Sequence, residues 1–164
     1  MPPAVPSRLL PIYLNDHFAG SMLGVELARR AARENAGTPL GTFLADDLLP
    51  ELLEDRRSLR DVMTACGVQP SRAKVSAAWV AEKIGRLKLN GETRRYSPLS
   101  RLLELEGLEG GIASKRAMWL ALADVRASDD RLGGTDFELL ARRAESQLER
   151  LEPHRIAAAG TALR

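Results

Sequence analysis

Two dipeptides, Thr38-Pro39 and Ser97-Pro98, constrain what this chain can fold into more than any other feature. Each joins a hydroxyl that caps a helix start to a proline whose fixed φ suits the first helical position, so each marks where a helix opens. The stops are equally plain: "NAG" at 35–37, Gly67 and "NG" at 90–91 place residues that leave the helical conformation cheaply. Between these marks apolar residues recur at three- and four-residue spacing, and no alternating run is long enough for a strand. The pattern predicts an all-α chain: an extended proline-rich arm over 1–12, then a single helical-bundle domain over 13–164. Its helices are expected at about 13–34, 38–66, 71–89, 97–125 and 135–163, the last capped by Thr135. Pro50 and Pro153 fall inside two of them and predict bends, because proline removes a backbone hydrogen bond and crowds the preceding turn. Aromatics make up only 4% of the residues while Leu, Ala, Arg and Glu dominate, a helix-forming composition.

Short links make the first two helices one antiparallel hairpin, and the fourth and fifth another through "ASDDRLGG" at 127–134. The roughly thirty residues between the hairpins include a helix of their own, enough to travel the length of a bundle. Paired long helices, a long middle connection and carboxylates on helices two, four and five make the chain resemble the ferritin-like superfamily over 13–163. That resemblance implies a ferritin-like four-helix bundle with an additional helix in the crossover connection. A plain up-and-down bundle with an extra helix is the competing topology.

The resemblance also raises a metal question, centred on "LLPELLEDRRSL" at 48–59. Di-iron bundles take one Glu from each of two helices and a Glu-x-x-His pair from each of the other two. Here the histidines are His17 and His154, and Leu, not Glu, stands three residues before each. On the second helix the apolar stripe runs Leu44, Leu48, Leu52, Asp55, Leu59, Val62 and Cys66, so Asp55 points inward and Glu54 about 100° away. The fourth helix carries Lys115 within Leu105, Leu108, Ile112, Trp119 and Leu122, and the fifth carries Gln147 and His154 within Leu140, Ala144, Leu151 and Ala158. His17 lies on the line of Ser21, Gly24 and Ala28.

Counting turns brings His17, Asp55, Lys115 and Gln147 within about one or two turns of the same level, which predicts a buried polar layer with an Asp55 to Lys115 ion pair within about 4 Å. A buried ammonium repels a divalent ion, so no cofactor is predicted. Under the bland reading Lys115 snorkels to the surface and His17 faces water. Under the metal reading Glu51, Asp55, Glu106, His17 and His154 would hold iron or manganese. Glu106 shares a line of small residues with Gly110, Ala113 and Ala117, Glu104 and Glu109 are assigned to a solvated face, and Glu26 is assigned as the partner of Arg30.

Residues 71–101 hold eight Lys or Arg against two Glu, a local +6 in a chain of net charge +2. Lys83, Arg86, Lys88, Arg94 and Arg95, beside Trp79 and Tyr96, are candidate anion-binding residues for nucleic acid or an acidic partner. The stripe Ala73, Ala77, Val80, Ile84 and Leu87 instead favours an ordinary amphipathic helix with its charges in water, so nucleic acid is the weaker expectation. Cys66, the one cysteine, reads as a small core residue and fits a reducing cytoplasm. No phosphate-binding glycine loop, signal peptide or membrane span is legible, and the expected location is cytoplasmic. The expected role is non-catalytic, binding or assembly through helix faces. A homodimer is suggested by Gly20, Ser21 and Gly24, which permit close helix approach.

Overall fold

The computed structural model describes residues 8–71 and 96–164, and among them every regular element is helical. The first helix, α1, is Leu10–Glu34. It takes in Leu10, Pro11 and Ile12, which the sequence assigns to the arm, because a proline in the first turn has no useful N–H to lose. Gly37 ends the segment at φ 78°, the left-handed conformation that glycine adopts without a Cβ penalty.

The second helix, α2, is a continuous run of three pieces: Pro39–Thr42, a π-helical turn over Phe43–Leu48, and Leu49–Ala65. Thr38 Oγ1 caps it by accepting from Gly41 N at 3.1 Å. The wide turn lies directly before Pro50, and it is there that the bond proline cannot make is accommodated.

The third helix, α3, is Pro98–Val125, opened by Ser97 Oγ accepting from Ser100 N at 3.1 Å. Two 3-10 turns, Arg126–Ser128 and Asp130–Leu132, lead to α4, Phe137–Ala162. Its cap is Asp136, whose Oδ1 accepts from Leu139 N at 2.8 Å, and not Thr135. Pro153 sits inside α4 without ending it.

Cross-helix contacts fix the directions. Arg30 meets Glu104, so the end of α1 lies against the start of α3. Glu51 meets Arg150 while Glu54 meets Arg143, so α2 and α4 are antiparallel. Asp55 meets Lys115 while the Cys66 carbonyl accepts from Arg131, beyond the end of α3, so α2 and α3 run the same way. The order is up, down, down, up. Ser71 N donates to Asn15 Oδ1 near the start of α1, whereas Tyr96 Oη accepts from Asn35 Nδ2 at its end. Those anchors are 20 residues of helix apart, roughly 30 Å at ~1.5 Å per residue. The predicted helix at 71–89 and the anion-binding candidates Lys83, Arg86, Lys88, Arg94 and Arg95 lie outside the described residues.

The apolar interior falls into two clusters. One gathers Val25, Phe43, Leu48, Leu52, Leu105, Leu108, Ile112 and Leu151. The other gathers Leu14, Phe18, Leu59, Met63, Met118, Trp119, Leu122 and Phe137. Along α2 the boundary falls at Asp55, along α3 at Lys115, and along α1 between Phe18 and Val25, where Gly20, Ser21 and Gly24 bring almost no side-chain bulk. Among the described residues no helix is long and apolar enough to cross a membrane.

Candidate functional site

Asp55 occupies a leucine position of the α2 stripe and is therefore carried into the core, where it is 3% exposed. A lone carboxylate there would be prohibitively costly, so its partners decide whether the level is stable. Lys115 of α3 donates to Asp55 Oδ2 and to Gln147 Oε1 of α4. Gln147 Nε2 closes the triangle by donating to Asp55 Oδ2 at 3.0 Å. Arg143, one turn before Gln147, forms an ion pair with Asp55 Oδ1 and reaches Glu54 Oε1 at 2.8 Å.

Burial pulls the Lys115 pKa below its usual value, with the Asp55 carboxylate acting in the opposite direction. For Arg143 burial again disfavours the charge, but Asp55 and Glu54 together hold its pKa above the usual value. The sequence reading misses Arg143. Its only signal was its place one turn from Gln147 at the edge of the stripe, from which a long side chain reaches inward.

The remaining candidates do not join this layer. His17 stands half-buried on α1, its ring 4.6 Å from that of Tyr13, and burial lowers its pKa. Glu51 is paired with Arg150. Glu106 is exposed, as are Ala113 and Ala117 on its line of small residues. His154 stacks on Phe43 with centroids 4.7 Å apart. Among the described residues no three His, Cys, Asp or Glu side chains converge as a metal site would require, so this set does not fit an iron or manganese pair.

Two other assignments change. Glu26 pairs with Arg29, leaving Arg30 to reach Glu104. Glu104 itself is fully buried and not solvated. Tyr96 Oη donates to its Oε2 at 2.8 Å, Arg30 Nε lies 3.0 Å from its Oε1, and burial raises its pKa against both partners. Glu109, by contrast, pairs with Arg155 across the α3–α4 face.

Beside the layer the described residues leave a space. A groove of about 810 Å³ runs between α1 and α3, with Leu52, Asp55 and Leu59 of α2 on its floor. Its walls at this level are Gly20, Ser21 and Gly24 on one side and Gly110, Gly111 and Ser114 on the other. Among the described residues, a Cβ added to Gly20, Gly24, Gly110 or Gly111 would meet no other heavy atom within 4 Å, so no close packing among them requires these glycines. Gly107, farther along the same groove, is different: its added Cβ would lie 3.1 Å from Leu27 Cδ2.

Helix-interior glycine costs roughly 0.5–1 kcal/mol relative to alanine. Four such residues around one opening break the local rule together, as functional sites do. Trp119 also borders the groove; it is fully buried, and among the described residues its indole N–H has no partner. No family model, curated protein or solved structure matches the chain.

Proposed function

We propose that this chain is a non-catalytic binding protein of ferritin-like connectivity, and that it receives an apolar molecule in the groove between α1 and α3. The observation that carries this reading is the level of the core at which α1 brings Gly20, Ser21 and Gly24 between its two apolar clusters, so that among the described residues a groove borders the salt-bridged layer. The up, down, down, up order supports the connectivity, since a single bundle-length connection produces it. The interior layer supports the absence of chemistry. Asp55 Oδ2 is committed to Lys115 and Gln147 and Oδ1 to Arg143, so among the described residues this carboxylate serves as neither a free base nor a cation ligand. The groove's volume and its few convergent polar groups match those of small-molecule sites, commonly about 300–1,000 Å³. Gly20, Ser21 and Gly24 line this groove, so they support binding within one chain more than a homodimer seam.

Fluorescence titration with the uncharged dye Nile red tests the reading. Saturable one-to-one binding is expected, abolished when Gly24→Leu and Gly110→Leu fill the opening in a protein whose helical circular dichroism is unchanged. Absence of dye binding, or equal binding by the filled variant, would overturn it. Elemental analysis of protein purified without chelator tests the metal alternative, for which stoichiometric iron or manganese lost on Asp55→Ala is the required result.

A further inference from the structure

Lys115 is the cation of the buried layer that reaches the groove. Its side chain is 14% exposed against 3% for Asp55, and both residues border the groove, whereas Gln147 and Arg143 do not. An ammonium has three N–H bonds; Asp55 Oδ2 and Gln147 Oε1 take two, and among the described residues nothing takes the third. Two cations, Lys115 and Arg143, share the one carboxylate buried in the layer. A guanidinium does not give up its proton, so the excess positive charge can be discharged only at Lys115. Asp55 then keeps Arg143 and Gln147 as partners. Burial pulls the Lys115 pKa down against the attraction of Asp55, and repulsion from Arg143 acts with burial. A lysine that loses its proton readily in an apolar pocket is one activated to attack carbonyl carbon.

We infer that Lys115 is a covalent attachment site for apolar aldehydes, which condense with its side-chain nitrogen to a protonated imine held in the groove. The inference rests on the binding role proposed above and names the ligand class. The neutral amine adds to the aldehyde carbon, the carbonyl oxygen leaves as water, and the imine nitrogen binds one proton. Counted from the ammonium, one aldehyde and one ammonium give one iminium and one water, with no net gain or loss of protons and no oxidation or reduction. The charge facing Asp55 is therefore unchanged, and the single iminium N–H remains for Asp55 Oδ2. Gln147 Oε1 gives up its donor, a cost that keeps the linkage reversible. The molecule is held and not turned over, so the role stays non-catalytic. Acylation would instead remove the cation and break the buried ion pair. Asp16, His17, Ser21, Glu106 and Ser114 bring acids, hydroxyls and an imidazole to the lining but no second amine, so among the described residues condensation has one address there. Leu23, Leu27, Leu52, Ile112 and Met118 line the remainder, giving the body of the aldehyde an apolar bed. From His17 to Leu27 the bed follows ten residues of helix, roughly 15 Å at ~1.5 Å per residue, which suits a medium-length chain.

Decanal, added to the full chain below its aggregation threshold and followed by cyanoborohydride to reduce imines to secondary amines, reads the site by intact mass and peptide mapping. One decyl group is expected, on Lys115, at least tenfold faster than on Lys74, Lys83, Lys88 or the terminal amine. Excess Nile red should slow labelling of Lys115 and leave the other amines unaffected. The Lys115 labelling rate should rise with pH to a midpoint below the 10.5 of an ordinary lysine. Lys115→Met should bind Nile red and lose the fast label, whereas the Gly24→Leu, Gly110→Leu protein should lose both. Even labelling of all the lysines, or an unlabelled Lys115 in a protein that binds the dye, would overturn the attachment site while leaving the groove reading intact. A wild-type protein that binds no dye would instead overturn the groove reading, on which this inference depends.

Discussion

Replacing Gly20, Gly24, Gly110 and Gly111 together with alanine should make the protein more stable and a poorer binder. Each position is helical, and among the described residues an added Cβ there has nothing within 4 Å, so the methyl group meets no steric cost from them. The gain per site is about 0.5–1 kcal/mol, because alanine loses less backbone entropy on entering a helix. Four sites give about 2–4 kcal/mol. At this chain length each kcal/mol moves Tm by about 2–4 °C, so a rise of roughly 5–15 °C is expected. Urea unfolding followed at 222 nm, with thermal melts, measures both quantities, and Nile red affinity should fall in the same protein.

Gly41→Ala is the matched control. Its Cβ would lie 2.1 Å from the Asn35 carbonyl oxygen, a clash with backbone that cannot move aside, so that variant should lose stability. A quadruple variant that gains nothing, or loses stability, would mean that other protein atoms, from this chain or a second copy, already fill the groove.

Asp55→Ala should cost about 3–5 kcal/mol in urea unfolding, since it strands Lys115 and Arg143 beside each other without their shared carboxylate. Lys115→Met should cost less, as Asp55 retains Arg143 and Gln147; the reverse ranking would contradict the layer's organisation. Tyr96→Phe removes a donor from buried Glu104 and an acceptor from Asn35, at about 1–3 kcal/mol. Burial also raises the Tyr96 pKa above its ordinary 10.0, so its contribution is complete below pH 10 and is lost as pH rises toward the folded value. The urea midpoint should accordingly fall less steeply above pH 10 in Tyr96→Phe than in the wild type. His17 has the opposite sign: its pKa is lowered by burial, so its contribution is present above its ordinary 6.5 and is lost as pH falls through the folded value. His17→Gln should flatten the stability profile below pH 6.5, and an unchanged slope would show that this imidazole is freely solvated.

Helix starts were legible where the signal is local. Thr38 and Ser97 cap through their own hydroxyls, and a hydroxyl followed by proline has few other uses. The start of α1 is hard to place because Pro11 follows Pro2, Pro3 and Pro6, and the cap of α4 because Thr135 and Asp136 are adjacent residues of similar capping power. Asp55, Lys115 and Gln147 could be aligned because each interrupts a long stripe of fixed period, whereas His17 lies on α1 where the stripe is made of small residues.

The burial of Glu104 is not legible in the sequence because its partners, Arg30 and Tyr96, come from other parts of the chain and leave no periodic trace. The groove was the least legible feature. A run of small residues reads alike whether two helices touch through it or stand apart across it, and only the packing of Phe18, Val25, Met118 and Ile112 on either side decides between them.

In the proposed binding role, the polar level of the core is reached from outside through a glycine-walled opening beside Trp119. The indole N–H resonance of Trp119, observed by proton–nitrogen correlation in the Trp79→Phe protein, reports on that opening directly. Titration with Nile red should move this one resonance saturably at one equivalent, and the Gly24→Leu, Gly110→Leu protein should show no movement. Dye bound at full affinity with the Trp119 resonance unmoved would contradict the account.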